Sequence, residues 1–411
     1  MPEFLNLQPP ETALKSWLNA FSVKNFPAEE IDTTAALGRV LANSVTADRP
    51  VPDFRRSTMD GYAVRAKDSH GASESLPAYF KIVGEVPMGE APGFSLKPGE
   101  TALIHTGGMV PEGADAVVML EYAQRTDQGV LEVTRAVAYA ENIIQIGEDV
   151  AAGEVVIPAG RQLRAAEIGA LMSLGRTNIS VRRKPRIGIV SSGDEVVEPE
   201  RQPAPGQIRD VNAYALSACI EGWGGEPTRL GIIPDDLDQL GKILSSAIAE
   251  FDAVLISAGS SASVRDHTAQ VIDRLGSPGV IIHGVDIKPG KPTILAVCNG
   301  KPVVGLPGNP VSALVIARLF VKPMIESLLG VQSLPAEPVF QATLTVNLPS
   351  QAGREDWWPV RLTFTEDGIL ADPIFYKSNL IFTYTQAQGL IRIPATANGL
   401  AANSRVDVFT L

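Results

Sequence analysis

From Arg186 onward, short apolar runs alternate with longer amphipathic stretches. Ile187–Ser191, Thr228–Ile233 and Ala253–Ser257 are bounded by polar or glycine-bearing segments and read as strands. Ala213–Trp223, Leu237–Phe251 and Thr268–Leu275 carry apolar residues at helical spacing. This alternation predicts a doubly wound α/β domain with a mainly parallel sheet, whose ligands bind beyond the carboxyl ends of its strands. The stretch Ile287–Val315 stands out within it. Pro292–Val297 and Pro302–Gly305 are strand-like runs joined by Asn299-Gly300, a hairpin signal. Gly305-Leu-Pro-Gly-Asn-Pro310 then opens a helix over Val311–Leu329, with Pro310 suited to its first turn.

Before Arg186 the pattern differs. Glu11–Phe21 has helical spacing, and Ile31–Leu41 continues in that style with Thr33 or Thr34 as a cap. Phe80–Val86, Thr101–His105, Ala116–Met119 and Val130–Thr134 are short strands between Gly/Pro turns, which suits a small β-barrel or sandwich. A helix is expected at Ala165–Ser173, ending near Gly175. Arg182-Arg-Lys-Pro-Arg186 reads as a solvated basic hinge. After Leu334 strands return at Val339–Val346, Val360–Phe364, Gly368–Ala371, Gly389–Ile393 and Arg405–Phe409. The expected domains are a split helical or mixed domain (1–46 and 143–181), an inserted β module (47–142), the α/β domain (182–332) and a small terminal β domain (333–411), the last entered through the linker Ser333–Pro338.

The length of 411 residues calls for two to four domains. Hydrophobic content of 45% with 20% charge describes a globular chain. A net charge of −11 argues against non-specific nucleic-acid or anionic-membrane binding, so an anionic ligand needs a local basic pocket. Cys219 and Cys298 lie in apolar runs and make neither a disulfide framework nor a zinc site. Met1–Glu11 is polar and proline-bearing, unlike a secretory signal, and no apolar run is long enough to span a bilayer. The expectation is a cytoplasmic protein.

The loops carry the candidate chemistry. Lys288-Pro-Gly-Lys291-Pro292 places two ammonium groups beside a glycine that lets backbone approach a ligand. With Ser312 and the amide groups of the helix start, these lysines form a candidate oxyanion pocket. A tight turn leading into a helix is the plainer reading of Pro307-Gly-Asn-Pro310 alone; the two loops together favour the pocket. Ser192-Gly-Asp-Glu195, Asp235-Asp236 and Asp266 fall on the same edge of the sheet. The plainer readings are a surface turn for the first and helix caps for the others, Asp266 capping at Thr268. Acids, lysines and hydroxyls together point to a phosphorylated ligand with a hard divalent cation. Walker, GxGxxG, HExxH and GxSxG motifs are absent, and His70, His105, His267 and His283 are scattered.

Thr58-Met-Asp-Gly-Tyr-Ala63, Thr106-Gly-Gly, Pro111-Glu-Gly-Ala-Asp-Ala-Val, Gly147-Glu-Asp149, Ser192-Gly-Asp-Glu195, Asp210-Val-Asn212, Lys288-Pro-Gly-Lys-Pro292 and Gly305-Leu-Pro-Gly-Asn-Pro310 occur in this order. The set resembles the MoeA/gephyrin family of molybdopterin molybdenumtransferases over nearly the whole chain. The resemblance implies an elongated, four-domain homodimer with a MogA-like α/β domain and a C-terminal β-barrel. It implies molybdenum insertion into adenylylated molybdopterin from molybdate, with AMP release and Mg²⁺, in a cleft between domain three of one subunit and domain two of the other. By motif, Asp60 and Thr106 fall on the cross-subunit side of the cleft. Asp149, Glu195, Lys288 and Lys291 belong to the catalytic set. Ser192, Gly193, Asp194, Pro292, Pro307, Gly308, Asn309, Pro310, Ser312 and Ser378 hold substrate. Asp235 and Asp266 hold the metal. Other cofactor-biosynthesis proteins are possible partners; nucleic acid and membranes are not expected.

The chain departs from the family pattern in two places. In Ser257–Asp266, Ala258 and Ser263 stand where glycines are usual, so a positive φ there would be strained, and Val264 replaces an acid. In Gly353-Arg-Glu-Asp-Trp-Trp-Pro359-Val-Arg361, Pro359 stands where many members have arginine, with Arg361 the candidate substitute. Two other functions compete with catalysis: a non-catalytic molybdopterin or cofactor carrier, and a scaffold.

Overall fold

The computed structural model describes residues 7–21, 26–126, 128–258, 262–332 and 339–411, with 262–266 described by secondary structure alone. The expected linker Ser333–Pro338 lies outside the described residues. The chain divides into two compact units, one of residues 1–43, 159–169 and 176–411, the other of 44–158 and 170–175.

The larger unit is built on a six-stranded sheet. Its order is Glu226–Ile233, Arg186–Ser192, Ala253–Ala258, Lys301–Pro307, Ile294–Cys298, Pro278–His283. The first four strands run parallel; Ile294–Cys298 runs against them, and Pro278–His283, antiparallel to it, runs with them again. Both faces of the central strands are covered, which explains why those strands read as nearly unbroken apolar runs, whereas the edge strand Glu226–Ile233 is polar and largely exposed over its first half. Alternate residues go to opposite faces. Ile187, Ile189, Leu255 and Val304 pack with Leu216, Ile220 and Phe320 on one side. Val190, Val254, Ile256 and Val303 pack with Leu240, Leu244 and Ile272 on the other. The helix Pro10–Ala20 joins the first face, and its buried Trp17 donates from Nε1 to the Ala296 carbonyl at 2.8 Å. The helix begun at Pro310 runs to Leu329 through a π-helical stretch at Ala317–Val321 and ends at Gly330, whose φ of 67° suits glycine.

The terminal sheet of this unit closes on itself. Glu355–Thr365 pairs with Gly368–Pro373, and in turn come Val339–Leu344, Arg405–Thr410 and Gly389–Ile393, which returns to Glu355–Thr365. Leu344, Val360, Ala371, Ile391 and Val408 fill this five-strand barrel. The barrel wall is extended by Ile287–Lys288, which pairs in parallel with Glu355 and Asp356.

Several expectations fail for local reasons. Ile31–Leu41 is not a helix: Ala28–Asp32 pairs antiparallel with Asn178–Arg182, and only Thr33–Ala35 forms a single 3₁₀ turn. The cap is Asp32, whose carboxylate accepts from the Thr34 N–H at 2.8 Å. Cross-strand pairing overrides the weak helical spacing. The basic run is not a solvated hinge. Arg182 donates to the Phe26 carbonyl, Arg183 to Asp252 and Arg186 to the Glu250 carbonyl. Ala258 ends a strand and has no positive φ. Ser263, Val264 and Arg265 have side chains outside the described residues. The helix there runs Ala262–Asp273, so Asp266 lies within it instead of capping it at Thr268. Cys298 is buried, which pushes its thiol up to about 11. Cys219 is half-buried.

The smaller unit contains one six-stranded sheet, ordered Ala116–Met119, Gly61–Val64, Glu100–Ile104, Ala78–Glu85, Val130–Val133, Ala123–Arg125. Apolar clusters lie on both faces, one around Phe80 and Leu131, the other around Val86 and Ile104. No helix among the described residues is long and apolar enough to cross a membrane.

Candidate active site

The two glycine-bearing loops of Ile287–Val315 converge. Gly290 has a φ of +115°, and a Cβ there would come within 2.4 Å of the Ile316 side chain. Only glycine lets the lysine loop pass so close to the helix begun at Pro310. The hairpin turns through Asn299 and Gly300, with φ of 53° and 79°, as an Asn-Gly turn requires. Asn309 precedes the helix in extended conformation, and its side chain donates to the Ser378 hydroxyl at 3.0 Å. The Ser378 carbonyl accepts from the Val311 N–H at 3.0 Å. One of the amides expected to face an oxyanion is therefore already engaged, so side chains must do more of that work.

A hollow of about 640 Å³ lies over these loops. Lys288, Lys291, Pro292, Pro307, Asn309, Ser312 and Ser378 line it. Arg354, Lys377 and the rings of Trp357, Trp358 and Tyr376 complete the wall, and Asp286 is its one acid. Four cations against one carboxylate make a basic pocket on a chain of net charge −11. The Lys291 ammonium has no partner among the described residues. Lys288 lies 5.7 Å from the centre of the Trp358 ring, within cation–π range. Burial raises the Tyr376 hydroxyl far above its ordinary value, so it stays protonated and donates to the Trp357 carbonyl at 3.2 Å.

A second hollow, of about 710 Å³, adjoins the first through the shared wall residue Asn309. Ser192, Glu195, Gly308 and Pro310 line it, with Asp210, Asn212 and the exposed Phe382. Asp210 is buried; it accepts from the Ser191 hydroxyl at 2.6 Å and from the Ala213 N–H at 3.1 Å. Asn212 donates to the Ser257 hydroxyl at 2.8 Å and the Gly308 carbonyl at 2.9 Å. The Asp210-Val-Asn212 motif thus ties three strand ends together. Ser192 leads on to a small third hollow with Asp235 and His267. Its hydroxyl donates to Asp235 at 3.0 Å, and the Asp235 N–H donates to Asp194 at 3.2 Å. Gly193, between them, has a φ of +152°, and a Cβ there would come within 2.7 Å of the Glu195 carboxylate. Asp236 caps the helix Leu237–Glu250, as its plainer reading held.

Asp60, Thr106 and Asp149 lie in the smaller unit. Asp60 accepts from both the backbone N–H and the hydroxyl of Thr106. Those two bonds hold its carboxyl below the ordinary carboxylate value. Asp149 is exposed, and its N–H donates to the Val51 carbonyl at 3.1 Å. The Asp266 side chain lies outside the described residues. Among the described residues, no three of His, Cys, Asp and Glu converge as a metal cluster.

Arg361 does not replace an arginine at Pro359 in the basic hollow. It is exposed and donates to Gln386 at 2.7 Å, while Arg354 lines the hollow. Sequence reasoning missed Arg354, Asp356, Trp357 and Lys377. The only signal was the glycine turn at Gly353 followed by alternating charge and aromatic residues.

Three family models match the chain in order: the MoeA N-terminal region (domain I and II) over residues 8–175, a probable molybdopterin binding domain over 188–327, and the MoeA C-terminal region (domain IV) over 341–411. A molybdopterin molybdenumtransferase of Nostoc sp. is 39% identical, the match covering 76% of this chain and 72% of the relative. A putative molybdopterin biosynthesis protein of Methanocaldococcus jannaschii is 34% identical over 99% of this chain and 98% of its own. The solved structure of a molybdopterin biosynthesis MoeA protein from Pyrococcus horikoshii superposes with a TM-score of 0.86 at 30% identity, covering 99% of this chain and 100% of that one.

Proposed function

Because the chain belongs to the MoeA family, we propose that it is a molybdopterin molybdenumtransferase, inserting molybdenum from molybdate into adenylylated molybdopterin with release of AMP. The observation that carries this reading is the basic hollow between the lysine loop and the barrel. Molybdate is a tetrahedral dianion, and removing it from water is costly unless fixed charges replace its hydration. Lys288, Lys291, Arg354 and Lys377 supply positive charge, and the hydroxyls of Ser312 and Ser378 supply directional donors. The adjoining hollow, with Ser192 and Glu195 on its wall and Phe382 at the rim, is large enough for the pterin or its nucleotide. Asp60, Thr106 and Asp149 are retained as candidates acting on the same substrate.

Mg²⁺ belongs to this proposal as a partner of the substrate phosphate, whose charge it would neutralise. Asp235 is exposed and offers carboxylate oxygen beside Ser192, and Asp266 remains its candidate companion. A Mg²⁺ shell takes about six oxygens, so water and phosphate must supply most of them. We propose further that the working form is a cytoplasmic homodimer; light scattering at micromolar concentration giving only the monomer mass would contradict the dimer. The carrier reading is not favoured, since the relatives are named as transferases.

Calorimetry with molybdate tests the hollow. Lys291→Ala should abolish measurable binding, because losing a charge-assisted contact in a partly dry site costs roughly 1.5–3 kcal/mol. Its stability should stay within about 0.5 kcal/mol of the parent, as for other exposed side chains. A variant that melts much lower and still binds would make Lys291 structural.

A further inference from the structure

Asp356 is fully buried, yet it does not line the basic hollow. Its Oδ1 accepts from the Arg354 Nε at 3.0 Å. Its Oδ2 has no hydrogen-bond partner and faces the Lys288 ammonium at 3.8 Å. The parallel pairing of Ile287–Lys288 with Glu355 and Asp356 sets Lys288 directly across from it. One buried carboxylate therefore sits behind two cations, and both cations line the same hollow. Burying a carboxylate is unfavourable unless it is paired, so Asp356 needs both partners in place. The partners are not consumed by it. The Lys288 side chain is 52% exposed and Arg354 35%, and the separation of Oδ2 from the ammonium is wider than a hydrogen bond. Donor N–H groups on both cations thus remain open to a ligand.

We propose that Asp356 is a positioning residue: it holds the Lys288 ammonium and the Arg354 guanidinium at fixed places so that both address one tetrahedral oxyanion. The proposal rests on reading the hollow as the molybdate subsite. Without Asp356, two long, rotamer-rich side chains would be ordered only when the anion binds, and that ordering would be subtracted from affinity. The sign of the effect separates this from simple charge. Removing a nearby negative charge should tighten anion binding through Coulomb's law alone. Positioning requires the opposite.

The test is calorimetry of molybdate binding to the full chain. Asp356→Asn should weaken binding by about tenfold, the scale expected when two side chains lose their preorganisation. In a Lys288→Ala, Arg354→Ala background, titrated with molybdate to saturation, the same substitution should no longer weaken binding and should tighten it through the Coulomb effect alone, which a merely structural role would not produce. If Asp356→Asn does not fold, Asp356→Glu decides: it keeps the charge but displaces both cations, and should also weaken binding. Binding at parent strength or tighter in the folded variant overturns the proposal, as does an undiminished effect in the double-alanine background. Lys291→Ala separates this failure from that of the reading beneath it. If Lys291→Ala abolishes binding while the Asp356 variants do not weaken it, only the positioning role is wrong. If Lys291→Ala binds as the parent does, the hollow is not the molybdate subsite, and the positioning role falls with it.

Discussion

Asp60 accepts two hydrogen bonds from one residue, the Thr106 backbone N–H at 2.7 Å and its hydroxyl at 3.1 Å. The two residues are brought together by antiparallel pairing of Gly61–Val64 with Glu100–Ile104, which sets the turn preceding the first strand beside the turn following the second. Both bonds favour the ionised carboxylate, with a smaller contribution from His105, and hold its titration low. Thr106→Val removes the hydroxyl and leaves the backbone N–H. The Asp60 carboxyl should then titrate closer to an ordinary aspartate, while staying below it. NMR-detected titration of the side-chain carboxyl measures this, and an unmoved midpoint would show that the hydroxyl does not bond Asp60 in solution.

Glu167 supports a pH prediction. Bonds from Arg164 first, joined by Arg161, lower its carboxyl to about 2 from an ordinary 4.5. A depressed folded pKa means the stabilisation is present above the unfolded value and is lost as pH falls toward the folded one. That window runs from about 4.5 down to about 2. Glu167→Gln should lower stability at neutral pH by roughly 1–3 kcal/mol, as expected for a lost charge-assisted bond. It should also flatten the acid limb of the stability curve. Denaturant titrations at several pH values check both, and parallel curves for parent and variant would remove Glu167 from the account.

Gly290 couples the lysine loop to the helix begun at Pro310. An alanine there meets Ile316 at 2.4 Å and must hold a φ of +115°. Strain and overpacking of this kind cost about 1–3 kcal/mol each. Gly290→Ala should melt lower and bind molybdate more weakly than the parent, because the loop must shift to relieve the clash. Unchanged melting and affinity would mean the loop passes the helix with more room than the structure gives it.

Legibility from sequence varied with the physics. The central α/β strands were readable because both their faces are buried and each is a nearly continuous apolar run, as in Ala253–Ala258. The lysine loop and the hairpin were readable because Gly290, Asn299 and Gly300 are demanded by local backbone conformation. Ile31–Leu41 was misread because its structure depends on pairing with Asn178–Arg182, far along the chain. Arg354 and Asp356 were missed for a similar reason. Their position depends on how Ile287–Lys288 adds to the barrel wall, a pairing across about seventy residues that no local pattern encodes. Arg361 was preferred for its closeness to Pro359, yet it donates to Gln386 and lines no part of the hollow.

The central claim is that molybdenum is transferred at the basic hollow. The most direct measurement incubates the protein with adenylylated molybdopterin, molybdate and Mg²⁺, then counts both AMP released and molybdenum bound to the pterin. The account predicts that the two appear together in equal amounts with the parent protein, and that Lys291→Ala produces neither while remaining folded. A parent protein that holds the adenylylated pterin but yields neither product would contradict it, as would a folded Lys291→Ala variant that turns over at the parent rate.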